Sequence, residues 1–267
     1  DSLPGWFECP EFFPIKSPST GEDLMLLYGG YHSPQGTPDR IDFNSCYQLG
    51  RFDGKKFTPV SKVRKAHQGP SYYAALIFAN EAKGRHVMMG WAQGTRFPGE
   101  HFNQCGTAPL LLQMKALGGA DALCFEPVEE LNALREKPLV QLSNVSVAEA
   151  NSKLASLKKD AALDVVLRVR PTATGSASVT VRSIEFSYDA ATKTLKRNGQ
   201  ATALHPGASL DARILIDRGI VESFWNSGEA AYTIGSLHTD NGPALALAGD
   251  AIIEELTIYP LKDIWKK

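Results

Sequence analysis

Apolar residues along this chain fall mainly in runs of strand length, broken by turn residues. "DLMLLYGGY" at 23–31 is apolar and ends in Gly-Gly. "SCYQLGRFDGKKFTPV" at 45–60 reads as two short strands around Asp53-Gly54, a hairpin signal. "SYYAALIFANEAKGRHVMMGWAQG" at 71–94 repeats the plan: a strand, a polar turn with Gly84, then a strand ending at Gly90-Trp91. Later, "LDVVLRVRP" at 163–171 and "SVTVRSIEFSYD" at 178–189 each read as one strand. "ARILIDRGIVESFWNSGEAAYTIG" at 212–235 reads as three, turning at Asp217-Arg218-Gly219 and Asn226-Ser227-Gly228. A last alternating strand is "AIIEELTIYPL". Strands at this even spacing predict a propeller, barrel or sandwich.

One segment breaks the rhythm. In "EPVEELNALREK" at 126–137, Val128, Leu131 and Leu134 recur at helical spacing and Pro127 suits a first helical turn. It is expected to be a short helix joining two domains. Residues 147–160, "VAEANSKLASLKKD", fit either a helical turn or a loop. The strands after the linker suggest a β-sandwich.

Composition removes several function classes. The 267 residues hold 28 Lys and Arg against 29 Asp and Glu, a formal net charge of −1. No basic face for nucleic acid follows from that balance. No apolar run approaches the roughly 18 residues that cross a bilayer, so no membrane partner is expected. No signal peptide is present, and a mature secreted protein lacks one; a secreted or periplasmic location is expected. Cys9, Cys46, Cys105 and Cys124 form no C-x-x-C pair and have no His cluster beside them, so no metal site is expected. Whether any two form a disulfide is open at this level.

The stretch "GWFECPEFFPI" at 5–15 carries candidate chemistry. Glu8 sits between aromatics and a Cys-Pro step. A poorly hydrated carboxyl has a raised pKa and makes a proton donor. Glu11, three residues on, is expected on the opposite face of an extended segment.

Three stretches together resemble glycoside hydrolase family 32, which contains invertases, inulinases and levanases. "WFECPEFFPI" resembles that family's acid/base motif. "GPSYYAALIF" followed by "GRHVMMGWAQGTRFPGEHFNQCGTAPLLL" resembles the later propeller blades of its levanase-like branch. "LIDRGIVESFWNSG" resembles the signature hairpin of its C-terminal sandwich, and "EPVEEL" sits at the family's interdomain link. The resemblance covers nearly the whole chain. It implies an all-β fold: an incomplete five-bladed β-propeller (blades three to five) over 1–126, a linker helix over 127–137 and a β-sandwich over 138–267.

The resemblance also implies a retaining β-fructosidase chemistry, in which two carboxyl groups lie about 5–5.5 Å apart. Glu8 matches the acid/base. The family's nucleophile lies in a Trp-Met-Asn-Asp-Pro-type motif of the first blade, and an Arg-Asp-Pro motif of the second holds substrate hydroxyls. Neither motif occurs here. Asp39, Asp42, Asp53 and Glu11 have no supporting motif as replacement nucleophiles, and Glu222 in "GIVESF" is assigned a structural role. Tyr73 and Trp91 are candidate sugar platforms, because aromatic rings cover the C–H faces of a sugar. No cofactor is implied, since carboxylates and water suffice. Two readings result. In the first, the chain is the C-terminal portion of a β-fructosidase acting on fructans or sucrose, inactive alone. In the second, it is a non-catalytic carbohydrate-binding or structural protein of the same fold. Three blades leave an open ring, so a homo-oligomer or a complementary chain is the expected partner.

Overall fold

The computed structural model describes residues 5–37 and 42–264. The first antiparallel sheet comprises β1 (Trp6–Lys16), β2 (Asp23–His32), β3 (Asp42–Phe52) and β4 (Phe57–Pro59), in that order, with β5 (Arg64–Lys65) also on β3. The second holds β6 (Tyr72–Ile77), β7 (Val87–Ala92), β8 (Cys105–Gly106), β9 (Leu110–Leu117) and β10 (Ala120–Pro127), ordered β10-β9-β7-β6 with β8 on β7. Both have the sequential order of a propeller blade. The all-β class holds; among the described residues two such sheets form before the linker, where three blades were expected. The strands β1, β2 and β3 run 11, 10 and 11 residues, so Trp6–Lys65 is consumed by one sheet.

Pro127 ends β10 instead of opening a helix, and the link is a six-residue 3-10 helix, Glu129–Leu134. Its end is anchored by buried Asp164, which accepts from Arg135 Nε at 2.8 Å and from Arg213 Nη2 at 2.7 Å. Both arginines are needed there, because a lone buried carboxylate is costly.

The sandwich begins with β11 (Val140–Ser146) and α1 (Val147–Leu154). The Ser146 hydroxyl caps α1 by accepting from Glu149 N–H, which settles the open reading of 147–160 as one short helix and a loop. The strands β12 (Leu163–Pro171), β13 (Ser176–Val181), β14 (Ile184–Asp189), β15 (Thr194–Arg197) and β16 (Gln200–Ala203) follow. Then come β17 (Leu210–Asp217), β18 (Ile220–Trp225), β19 (Ala230–Gly235), β20 (Ala246–Gly249) and β21 (Ala251–Pro260). They pair as β11-β21-β12-β17-β18-β19 and β16-β15-β14-β13-β20. The run 178–189 is thus a hairpin and not one strand: Arg182, at φ +53°, turns the chain without a glycine. Arg182 is buried and donates to the carbonyls of Arg218 and Lys159, which hold the turn.

Between the halves, the β18–β19 hairpin inserts against the second sheet. Phe224 and Ala231 share a core with Tyr72, Met88 and Phe125. Backbone bonds run from Gln68 N–H to Ala231 O (2.8 Å), Ser71 N–H to Thr233 O (3.2 Å) and Phe125 N–H to Gly228 O (3.0 Å). Gly69 permits this approach, since a Cβ there would meet Thr233 N at 2.2 Å. All four cysteines are free thiols, and burial pushes Cys46 and Cys124 up to about 12, out of the reactive range.

Glu222 lies in this seam. Its carboxyl accepts from Ala108 N–H at 2.8 Å and from the Thr233 hydroxyl at 3.2 Å. Burial pushes its pKa up to about 7 from the ordinary 4.5. The folded value exceeds the unfolded one, so folding favours the protonated acid. That stabilisation is complete below pH 4.5 and is lost as pH rises through 7. The Glu222→Gln protein, with a neutral amide of the same shape, is expected to lose this dependence. Thermal melts of both proteins at pH 5 and pH 8 check it. An equal loss of Tm in wild type and variant on going to pH 8 would refute the assignment.

Candidate functional site

The strand carrying Glu8 is an edge of its sheet, as is β6 of the next, and the two are in contact. Along β1, Trp6 pairs with His32, Phe7 with Tyr31 and Glu8 with Gly30. A bulge then intervenes at Cys9-Pro10, with Cys9 at φ +48°, and Glu11 pairs with Tyr28. Proline suits an unpaired bulge position because it has no N–H to donate. Gly30 and Tyr28 are two residues apart, so the bulge places Glu8 and Glu11 on one face of the sheet. This corrects the expectation of opposite faces, which assumed unbroken alternation.

Glu11 crosses to the second sheet and accepts from Ile77 N–H at 3.1 Å. There β6 has its own bulge, between the pairs Tyr73–Trp91 and Leu76–Met89, with Ala74 at φ +47°. The bulges and Glu11 fix the two edges against each other. Between them the Tyr73 ring lies over Gly30. A Cβ on Gly30 would come within 2.9 Å of Tyr73 Cε2. The Tyr73 ring centre is 6.2 Å from that of Trp91 and 6.3 Å from that of His32. His32 Nδ1 in turn bonds the Asp42 carboxylate.

The three residues singled out from the sequence therefore converge: Glu8 is paired with Gly30, Tyr73 covers Gly30, and Trp91 is Tyr73's cross-strand partner. Two features were missed. The Gly29-Gly30 step inside an apolar run was a legible sign of close backbone approach. The His32–Asp42 pair had no sequence signal. The environment of Glu8 also differs from that expected. Phe7 turns to the other face, its ring against Gly29, and Trp6 is 75% exposed, so the adjoining aromatics do not enclose the carboxyl, which is exposed. Beyond Trp91 lies an open, largely apolar cleft of about 520 Å³ lined by Leu76, Phe78, Met89 and Gly106.

The other described carboxylates singled out from the sequence have structural occupations. Asp53 accepts from Lys55 N–H (2.8 Å) and Lys56 N–H (2.7 Å) in its turn. Glu11 and Glu222 hold the contacts described above. Asp42 is engaged by His32 and stands on β3, two strands from Glu8, about 10 Å at ordinary strand spacing. Asp39 falls outside the described residues. Among the described residues, no group of three or more His, Cys, Asp or Glu side chains is placed to hold a metal ion.

Residues 2–127 match the profile for the glycosyl hydrolases family 32 N-terminal domain, and residues 130–235 match that for the family 32 C terminal domain. The chain belongs to glycosyl hydrolase family 32. Relatives of this family 32 chain include the levanase of Bacillus subtilis (strain 168), 25% identical over 98% of the chain and 43% of that protein. The extracellular exo-inulinase of Aspergillus awamori is 22% identical over 98% of the chain and 56% of its own length. The crystal structure of the Aspergillus awamori exo-inulinase superposes with a TM-score of 0.76 at 20% identity, covering 98% of this chain and 58% of that one. Fructan 1-exohydrolase IIa from Cichorium intybus gives 0.70 at 16%, covering 96% and 62%. The family 32 chain thus spans about half the length of the curated relatives it matches.

The Gly30 contact yields a stability test. Gly30→Ala should lower stability by about 1–3 kcal/mol through overpacking against Tyr73. Most of that loss should disappear in a Tyr73→Ala background, where the opposing ring is gone. Gly207→Ala is the control, because no atom lies within 4 Å of a Cβ there. Urea melts measure the wild type and all four variants, and additive effects at Gly30 and Tyr73 would show that the ring is not seated there.

Proposed function

We propose that this chain is the acid/base-bearing C-terminal portion of a retaining β-fructosidase acting on fructans or sucrose. The observation that carries the reading is the convergence of Glu8, Tyr73 and Trp91 at the contact between β1 and β6. Glu8 protonates the leaving oxygen as the fructosyl C–O bond breaks and an Asp carboxylate bonds the anomeric carbon. The Glu8 carboxylate then takes a proton from water, which displaces the Asp. Tyr73 and Trp91 present ring faces to the sugar. The names of the relatives support the substrate class: a levanase, exo-inulinases and sucrose-6-phosphate hydrolases. The word extracellular in the exo-inulinase names supports secretion.

We propose that the nucleophile comes from outside residues 1–267; the occupations of Asp42, Asp53 and Glu11 support this reading. Further blades would also desolvate Glu8 and cover the apolar face of the second sheet, where Leu76 is 54% and Phe78 49% exposed. We propose that those blades, in the same polypeptide or a complementary chain, pack there.

The test uses levan, inulin and sucrose, with released fructose as the readout. Residues 1–267 alone should release none. Addition of a segment bearing the Trp-Met-Asn-Asp-Pro-type motif should restore release, and Glu8→Gln should then cut turnover by about 10²–10⁴-fold. Turnover by a monodisperse monomer of residues 1–267 would overturn the proposal. Binding without hydrolysis in the assembled protein would favour the non-catalytic carbohydrate-binding reading.

A further inference from the structure

A second cavity, of about 380 Å³, opens where three parts of the chain meet. The start of β3 contributes Asp42 and Asn44, the segment after β5 contributes His67, and the tip of the β15–β16 hairpin contributes Gln200. Two cations complete the wall: Lys65 from the first sheet and Arg197 from the sandwich. Neither makes an ion pair among the described residues. Lys65 Nζ reaches only the Gln68 carbonyl, at 3.4 Å. Arg197 Nε is shut off from water and has no hydrogen-bond partner.

Such an arrangement is costly. A buried polar atom without a partner loses its hydration uncompensated, and two half-buried like charges repel. Burial lowers the pKa of both groups, and Arg197 lowers that of Lys65 further. The carboxylate facing them, Asp42, is already held by His32. His67 adds no charge, since burial and then the field of Lys65 push it down to about 3. The cavity wall therefore carries two cations that no described carboxylate neutralises by an ion pair. The backbone that carries the arginine is fixed. Arg197 and Gln200 are the closing pair of a two-residue hairpin whose turn, Asn198 at φ +46° and Gly199 at φ +73°, has the tight primed geometry.

We propose that this cavity binds a phosphate group, held between Arg197 and Lys65, with the amides of Asn44 and Gln200 beside it. A dianion matches two cations, and the planar guanidinium suits tetrahedral oxyanions. Because the ligands come from both halves of the molecule, the bound anion bridges the sandwich hairpin to the first sheet. Glu8 does not line this cavity, so the Glu8→Gln protein should bind as wild type does.

The experiment is calorimetric titration of the purified protein with inorganic phosphate, fructose 6-phosphate and fructose, at constant ionic strength set with chloride. Saturable binding of both phosphates and none of fructose is expected, with Tm rising in parallel. Arg197→Gln and Lys65→Gln should each weaken binding by about tenfold or more, while Arg197→Lys retains part of it. Tighter binding of fructose 6-phosphate than of phosphate would identify a sugar phosphate as the ligand, and equal binding would identify free phosphate. The proposal fails if neither phosphate saturates, if both Gln variants bind as wild type with unchanged melting in buffer, or if neutral fructose competes equally.

Discussion

The seam between the β18–β19 hairpin and the second sheet sets the geometry of everything else in this chain. Tyr72, Met88 and Phe125 lie in the core that the two blade-like sheets share with this hairpin. Phe224 and Ala231 are the hairpin's contribution to it. Several polar groups buried with them are paired across the junction, Glu222 with Ala108 N–H and Thr233, and Thr233 with buried His67, while the Tyr72 hydroxyl has no hydrogen-bond partner. His67 stacks on Tyr72 at 4.2 Å, and Tyr73 next along β6 projects toward Gly30. The sandwich is thus part of what positions the candidate sugar platform, although it contributes no residue to it.

The second constraint is the pair of β-bulges. A regular strand would alternate Glu8, Cys9, Pro10 and Glu11 strictly between faces. The extra residue at Cys9-Pro10 instead leaves Glu8 on the shared face and sends Glu11 across to Ile77 N–H. Of the two carboxylates, one is spent on holding the edges together and the other is left exposed. The bulge beside Tyr73 does the same for the facing strand, setting Tyr73 and Trp91 as a cross-strand aromatic pair. Position and chemistry are thus both consequences of two irregular residues.

Much of the local structure was legible. Asp53-Gly54, Asn226-Ser227-Gly228 and the alternating runs mark their strands because turn chemistry and a period of two act over a few residues. The strand at 163–171 is found with the bounds read from the sequence. The hairpin at Arg182 was illegible because its left-handed residue is an arginine, held by carbonyls from Lys159 and Arg218 that are remote in sequence. Pro127 and the spacing of Val128, Leu131 and Leu134 suggested a helix from the start of that segment. Pairing of Pro127 with Leu110 made it the end of a strand.

What the sequence determined by itself was the class of fold, the order of its parts and the family. Those depend on short patterns and on ordered motifs, which survive being read one residue at a time. Only the tertiary structure decided the number of sheets, the exposure of Glu8, the shared face of Glu8 and Glu11, and the meeting of Lys65 with Arg197. Each of these depends on a register shift or on a contact between residues far apart along the chain. A single inserted bulge residue reverses the parity of every side chain beyond it, and no local pattern records that reversal.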